Sequence, residues 1–206
     1  MNMGRAFFSG VLDWDEKTFL VIHGWSRPVL DYFLGWPTFL GAQAIALPLV
    51  LLFLLIWKER RTAWAHFAYI TSQVALAAGA NRLLKEIVGR PRPWEYFYEA
   101  RDRGEVALRV LFSMETTNAF PSGHTFFAFA LAVVVNRLYG NRFGFLYVLA
   151  AWIGLTRIYV GAHFPLDVLG GALFGLTLPV MLEKTLFSLP FFRRIFPCAI
   201  DGPELR

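Results

Sequence analysis

A proline and a glycine bracket a serine at Pro121-Ser122-Gly123, His124 follows at once, and an apolar run from Phe126 to Leu131 begins directly afterwards. That order predicts a tight turn opening a helix. Backbone N–H groups at such an opening have no intrahelical partners, and with the positive end of the helix dipole they attract a phosphate-like anion. His124 would stand beside that anion as a proton donor. A loop turn whose histidine is polar trim fits the same tetrapeptide, so the chemistry needs further residues. Lys85, Arg90, Arg92 and Arg157 offer positive charge, each with a bland alternative: Lys85 as a snorkelling helix end, Arg90 and Arg92 as unspecific headgroup contacts.

These residues must be positioned by apolar elements, because 56% of the 206 residues are hydrophobic. An ordinary soluble domain has an apolar share of about 45–50%. Membrane residence is the first inference. The net charge of +5 does not point to nucleic acid, since the basic residues fall in short clusters between apolar runs and not along one face. The single cysteine, Cys198, excludes an intrachain disulfide framework and a cysteine metal cluster, and is expected to be a free thiol. Met1 to Gly10 lacks the apolar core and cleavage site of a secretory leader.

The pattern predicts an all-α fold: one integral membrane domain, 1–206, forming a helical bundle of about five transmembrane helices. Residues 1–40 mix aromatic and charged side chains and are expected as short N-terminal amphipathic helices lying in the interface, broken near Ser26-Arg27-Pro28. The transmembrane core occupies 41–184. Its expected spans are Gly41 to Trp57, Thr62 to Leu84, His124 to Tyr139, Phe143 to about Ile158, and Pro165 to Leu182. Thr71, Ser72, Gln73 and Asn81 should face protein, and Gly170, Gly171 and Gly175 should allow close helix approach. Two outer loops, 85–123 and 157–164, carry the polar residues of interest, the first with a short amphipathic helix expected around Glu105 to Phe112. Residues 185–206 are expected as a cytoplasmic tail. Basic clusters at Lys58 to Arg61, Arg137 to Arg142 and Lys184 to Arg194 all fall on one face, which marks it as cytoplasmic. The stretches with Lys85 to Arg92, Ser122 to His124 and Arg157 to His163 fall on the other.

Spacing then makes the set specific. Lys85, six intervening residues and Arg92-Pro93; Pro121-Ser122-Gly123-His124; Arg157, five residues, His163, three residues and Asp167: this ordered set resembles the three signature motifs of the type-2 phosphatidic acid phosphatase superfamily. The resemblance implies that His163 is the nucleophile and forms a phosphohistidine. It implies that His124 protonates the leaving group, and that Lys85, Arg92, Arg157, Ser122 and the Gly123 amide hold the phosphoryl oxygens. Asp167, four residues beyond His163 with Pro165 as a first helical residue, can reach back to orient the imidazole. Arg90 sits in a second Arg-Pro pair and ranks behind Arg92. The family's third motif usually has serine before its arginine; here Thr156 keeps the hydroxyl, so tuning and not loss is expected. No cofactor and no metal are implied, positive side chains doing what a divalent cation does elsewhere, and His23 and His66 are expected in structural roles.

The function this implies is an integral membrane lipid phosphatase at the outer (periplasmic) face of a bacterial inner membrane, with the bilayer and a membrane lipid phosphate as its partners. Phosphatidylglycerophosphate, undecaprenyl diphosphate, phosphatidic acid and a lipid A type glycolipid all present the same terminal phosphate. Selectivity is expected in the Trp94 to Asn118 loop and the N-terminal helices. A vanadate-dependent haloperoxidase shares the oxyanion pocket, and a membrane anion carrier could line a path with the same residues. Apolar third and fifth spans argue against the carrier.

Overall fold

Asp15, Phe19 and His23 recur at four-residue spacing, which puts them on one face of a helix. The structure, a computed structural model that describes residues 3–112 and 117–196, buries all three. They belong to α1, Met3–His23, which runs unbroken for 21 residues. The N-terminal helix is therefore longer than the short helices expected, and α1 inserts one face into the protein. Phe19 stacks on His23 and Phe97 and tilts against Phe164, a burial that contributes ~1.5–3 kcal/mol. The opposite face keeps the exposed Asp13–Lys17 pair.

The break comes where expected, before α2 (Pro28–Leu30), a π-helical turn (Asp31–Gly35) and a 3-10 turn (Trp36–Gly41). Then follow α3 (Gln43–Trp57), α4 (Arg60–Val88), α5 (Pro93–Tyr96), α6 (Tyr98–Asp102), α7 (Gly123–Tyr139), α8 (Phe145–Tyr159), α9 (Pro165–Thr185) and α10 (Pro190–Ile195). Among the described residues every regular element is helical. Proline opens α5, α9 and α10, where its missing N–H costs nothing. Glu105 to Phe112 is not the helix its composition predicts. Its backbone donors go elsewhere, the Leu111 N–H to Val160 O at 3.2 Å and the Arg109 N–H to His23 Nε2 at 3.0 Å. Cys198 lies outside the described residues.

The most extensive helix contact is α7 on α9. Gly171 and Gly175 make it possible: a Cβ on Gly171 would lie 2.6 Å from Ser122 O, and one on Gly175 2.5 Å from Phe126 O. Small residues let the two backbones approach, as between helices in a bilayer.

Polarity is distributed inside out. Leu49, Leu52, Phe53 and Ile56 of α3, Leu83 and Ile87 of α4, Val148 of α8, and Leu169, Leu173 and Met181 of α9 are exposed. Gln73, Asn81, Arg92, Ser122, Arg157, His163 and Asp167 are buried. Such an apolar belt over a polar interior is what a lipid environment stabilises. Among the described residues, α9 is the helix that alone is long and apolar enough to cross a membrane; Pro28–Gly41 and Gln43–Trp57 pass together, bent by 76°. The helices α3, α7 and α8 have 15, 17 and 15 residues, about 22–26 Å of rise against a hydrocarbon core of about 30 Å.

The bundle has two different ends. At one, Lys58 lies over the Trp57 and Tyr139 rings, Arg137 pairs with Glu183, and His66 bonds Tyr139 Oη at 2.5 Å. At the other, the end of α4, the start of α7, the end of α8 and the start of α9 meet.

Candidate active site

Lys85 closes α4, where Gly89, in the left-handed region at φ 60°, caps the helix. Residues 85–92 are then stapled to 117–119. Lys85 Nζ donates to Asn118 O at 2.7 Å, Asn118 Nδ2 returns a bond to Lys85 O at 3.1 Å, and the Ala119 N–H reaches Arg90 O at 2.8 Å. Arg92 carries the staple across. Its Nε donates to Thr117 O at 2.6 Å, Nη2 to Thr117 Oγ1 at 3.0 Å, and Nη1 to Ala162 O at 3.0 Å. The fork shape of a guanidinium is what permits three directed bonds from one side chain.

Arg92 Nη1 also stands 3.4 Å from His163 Nε2. For that ring nitrogen to accept, Nδ1 must carry the proton, and Nδ1 faces Asp167 Oδ2 at 3.5 Å. His163 is 1% exposed and Asp167 not at all. Asp167 is fixed from three directions: Oδ2 accepts the Phe164 N–H at 2.9 Å, Oδ1 accepts Arg90 Nη1 at 2.9 Å, and its carbonyl accepts the Ser122 N–H at 2.9 Å. The last bond ties the start of α9 to the start of α7. All three polar stretches are therefore bonded to one another.

Ser122 is fully buried, its Oγ accepting from Thr125 Oγ1 at 3.0 Å. Gly123 begins α7, with Lys85 Cε 4.0 Å from where its Cβ would lie. His124, in the first turn and partly exposed, packs on Gly41, whose missing Cβ would fall 3.1 Å from His124 Cβ. Three residues earlier in the same turn, Thr38 Oγ1 accepts Arg157 Nη1 at 2.8 Å. The Trp36–Gly41 turn thus borders both His124 and Arg157. Thr156 directs its hydroxyl to Ile153 O at 2.7 Å within its own helix.

Two placements were not legible in the sequence. Arg90, ranked behind Arg92 as an oxygen holder, lies on Asp167 and over the Phe164 ring. Its other nitrogen pairs with Asp15 of α1, a residue for which no motif speaks. Burial pushes the Asp15 carboxyl above its usual range, against the pull of Arg90 and the Leu166 N–H. His23 and His66 are buried in hydrogen bonds away from this cluster, His23 between Tyr159 O and the Arg109 N–H. Among the described residues no three His, Cys, Asp or Glu side chains group as metal ligands.

Three polar segments thus meet around one buried imidazole backed by an arginine. Residues 62–184 match the PAP2 superfamily, and the chain belongs to it. It is 34% identical over 146 residues to the lipid A 1-phosphatase of Rhizobium etli, covering 63% of this chain and 59% of that protein. It is 29% identical to phosphatidylglycerophosphatase B of Bacillus subtilis, covering 74% and 73%. The crystal structure of Aquifex aeolicus LpxE superposes with a TM-score of 0.60 at 29% identity, over 82% of this chain and 93% of that one. The chain thus spans about three-fifths of the length of the Rhizobium relative.

Proposed function

We propose that this chain is an integral membrane phosphatase, one domain over 1–206, that removes a terminal phosphate from a lipid phosphate or prenyl diphosphate through a phosphohistidine. The observation that carries the reading is the buried line Arg92, His163, Asp167, with Nε2 toward the Arg92 guanidinium at 3.4 Å and Nδ1 toward the Asp167 carboxylate at 3.5 Å. An incoming phosphate takes over the Arg92 contact, which releases the Nε2 lone pair to attack phosphorus while Asp167 stabilises the imidazolium that forms. His124, entering protonated, gives its proton to the departing oxygen, then as a neutral base draws one from the water that hydrolyses the phosphohistidine. Lys85, Arg92, Arg157, the Ser122 hydroxyl and the Gly123 amide neutralise the transferring oxygens.

A lipid substrate is supported by an apolar cavity of about 200 Å³ between α3, α7 and α8, lined by Leu40, Leu49, Phe127, Leu131, Leu149 and Ile153 among others. It opens beside the site, since Leu40 adjoins Gly41, and Ile153 and His124 both pack on that glycine. An acyl or prenyl chain fits there while its phosphate meets the polar end. The named activities of the relatives, on lipid A and on phosphatidylglycerophosphate, both concern a phosphate on a membrane lipid. The long helices α3, α4, α7, α8 and α9 are the five crossings, and the site faces away from the basic end, on the outer side of a bacterial inner membrane.

The test is a pulse of radiolabelled short-chain phosphatidic acid on the purified protein, quenched in base. Label held through base, released by acid and absent from His163→Ala is expected. Turnover by His163→Ala at the parental rate defeats the assignment.

A further inference from the structure

Asp15 lies outside the stretch that carries the family match, 62–184. Its carboxylate is fully buried: Oδ1 accepts the Leu166 N–H at 2.7 Å in the first turn of α9, and Oδ2 pairs with Arg90 Nη2. The same guanidinium gives Nη1 to Asp167 Oδ1 at 2.9 Å. Two buried carboxylates therefore divide one arginine, and one of them is the residue behind His163.

Burying a second carboxylate is costly unless it is paired, and the aromatic stack of Phe19 already docks α1. The charges give the second carboxylate a use. With Arg90 alone, Asp167 would be electrically neutralised, and a phosphoimidazolium at His163 would find little negative charge behind it. With Asp15 ionised, the form that its bonds to Arg90 and the Leu166 N–H favour against burial, the trio keeps one net negative charge. Among the described residues, the other charged groups placed near the imidazole and its carboxylate, Arg92 on Nε2 and Lys85 near Asp167, are positive.

We propose that Asp15 is a positioning residue for the phosphatase reaction: from α1 it holds Arg90 and the first turn of α9, and so sets both the place and the effective charge of Asp167 at His163. The proposal rests on the reading of His163 as nucleophile. It makes the N-terminal helix part of the catalytic apparatus.

Asp15→Asn keeps the size and one acceptor oxygen while removing the charge. With short-chain phosphatidic acid and the full chain in detergent, kcat is expected to fall by about 10- to 100-fold, the range usual for partners that orient a reacting group. KM should stay within about threefold, since no oxygen holder is touched. The acid limb of the pH–kcat profile should move to lower pH, because the imidazolium of His163 loses support. Asp15→Asn with Arg90→Gln removes the uncompensated arginine and returns full charge to Asp167. Its kcat is expected within about tenfold of the parent, whereas a merely structural Asp15 would make the double variant worse than either single one. Parental kcat and pH profile in Asp15→Asn, or a loss beyond tenfold in the double variant, overturns the proposal. If Asp15→Asn does not fold, the double variant decides on the same tenfold criterion. His163→Ala run in parallel separates the two readings: activity there removes the phosphohistidine, while an inactive His163→Ala beside an unaffected Asp15→Asn removes only the role of Asp15.

Discussion

At the scale of single residues the site is an arrangement of donors around one imidazole, and the roles differ in what they tolerate. Arg92 uses Nε, Nη1 and Nη2 on Thr117 O, Thr117 Oγ1 and Ala162 O. A lysine there keeps the charge and loses the fork. Arg92→Lys is expected to lower kcat/KM by at least about a hundredfold, about 2.7 kcal/mol of transition-state stabilisation. Thr156→Ser is expected within about twofold of the parent, since the Thr156 hydroxyl bonds Ile153 O and not the site. Steady-state kinetics on a lipid phosphate checks both, and a hundredfold effect of Thr156→Ser would overturn the expectation that position 156 stays out of the reaction. The motif residues were legible one by one because their order along the chain is itself specific. Arg90 and Asp15 were not. Arg90 and Arg92 present the same Arg-Pro sequence, and only the fold decides which guanidinium meets the carboxylate. Asp15, 75 residues before Arg90, reads as one more charge among Asp13, Glu16 and Lys17.

At the scale of elements, close packing and one neutral histidine decide how the helices present those residues. Gly171 and Gly175 sit one turn apart on α9, but a Cβ at the first would press on Ser122 O and at the second on Phe126 O. Alanine at either is expected to destabilise by ~1–3 kcal/mol. Only Gly171→Ala should also lower kcat, by about tenfold or more, because Ser122 moves with its carbonyl; thermal melts paired with kinetics would separate the two. On α1, His23 donates from Nδ1 to Tyr159 O at 2.9 Å and accepts the Arg109 N–H on Nε2 at 3.0 Å. Burial, with the Arg109 charge adding to it, holds its pKa below the usual value of 6.5 despite the Tyr159 bond. The unfolded chain therefore binds a proton more readily than the folded one, so this contribution is complete above pH ~6.5 and declines as the pH falls below it. Melting temperatures at pH 8 and 5.5 should differ less in His23→Gln than in the parent. The helix boundaries were largely legible, since periodicity and Pro or Gly punctuation are local. Residues 105–112 were misread because their apolar spacing suits a helix, while their donors are claimed by Val160 and His23 from distant elements.

At the scale of the whole molecule, the two ends carry opposite demands. One end gathers Lys58, Arg60, Arg61, Arg137 and Lys184, the kind of cluster that the positive-inside rule would keep on the cytoplasmic side. The other gathers buried cations, of which Arg90 is matched by Asp15 and Asp167, and on the proposed function an incoming phosphate would match the rest. Positive charge held by protein groups inside the fold does not act as a topology signal in the way exposed loop lysines do, so the basic end should win the orientation. Ala107 and Ser188 are both exposed and lie at opposite ends. With Cys198→Ser as background, Ala107→Cys in intact spheroplasts should react with a membrane-impermeant maleimide. Ser188→Cys should react only after permeabilisation. The reverse pattern would place the reaction on the cytoplasmic side. Labelling of both cysteines before permeabilisation would mean that α7, α8 and α9, the three long helices between positions 107 and 188, do not all cross, since an odd number of spans between the two positions is what puts them on opposite faces.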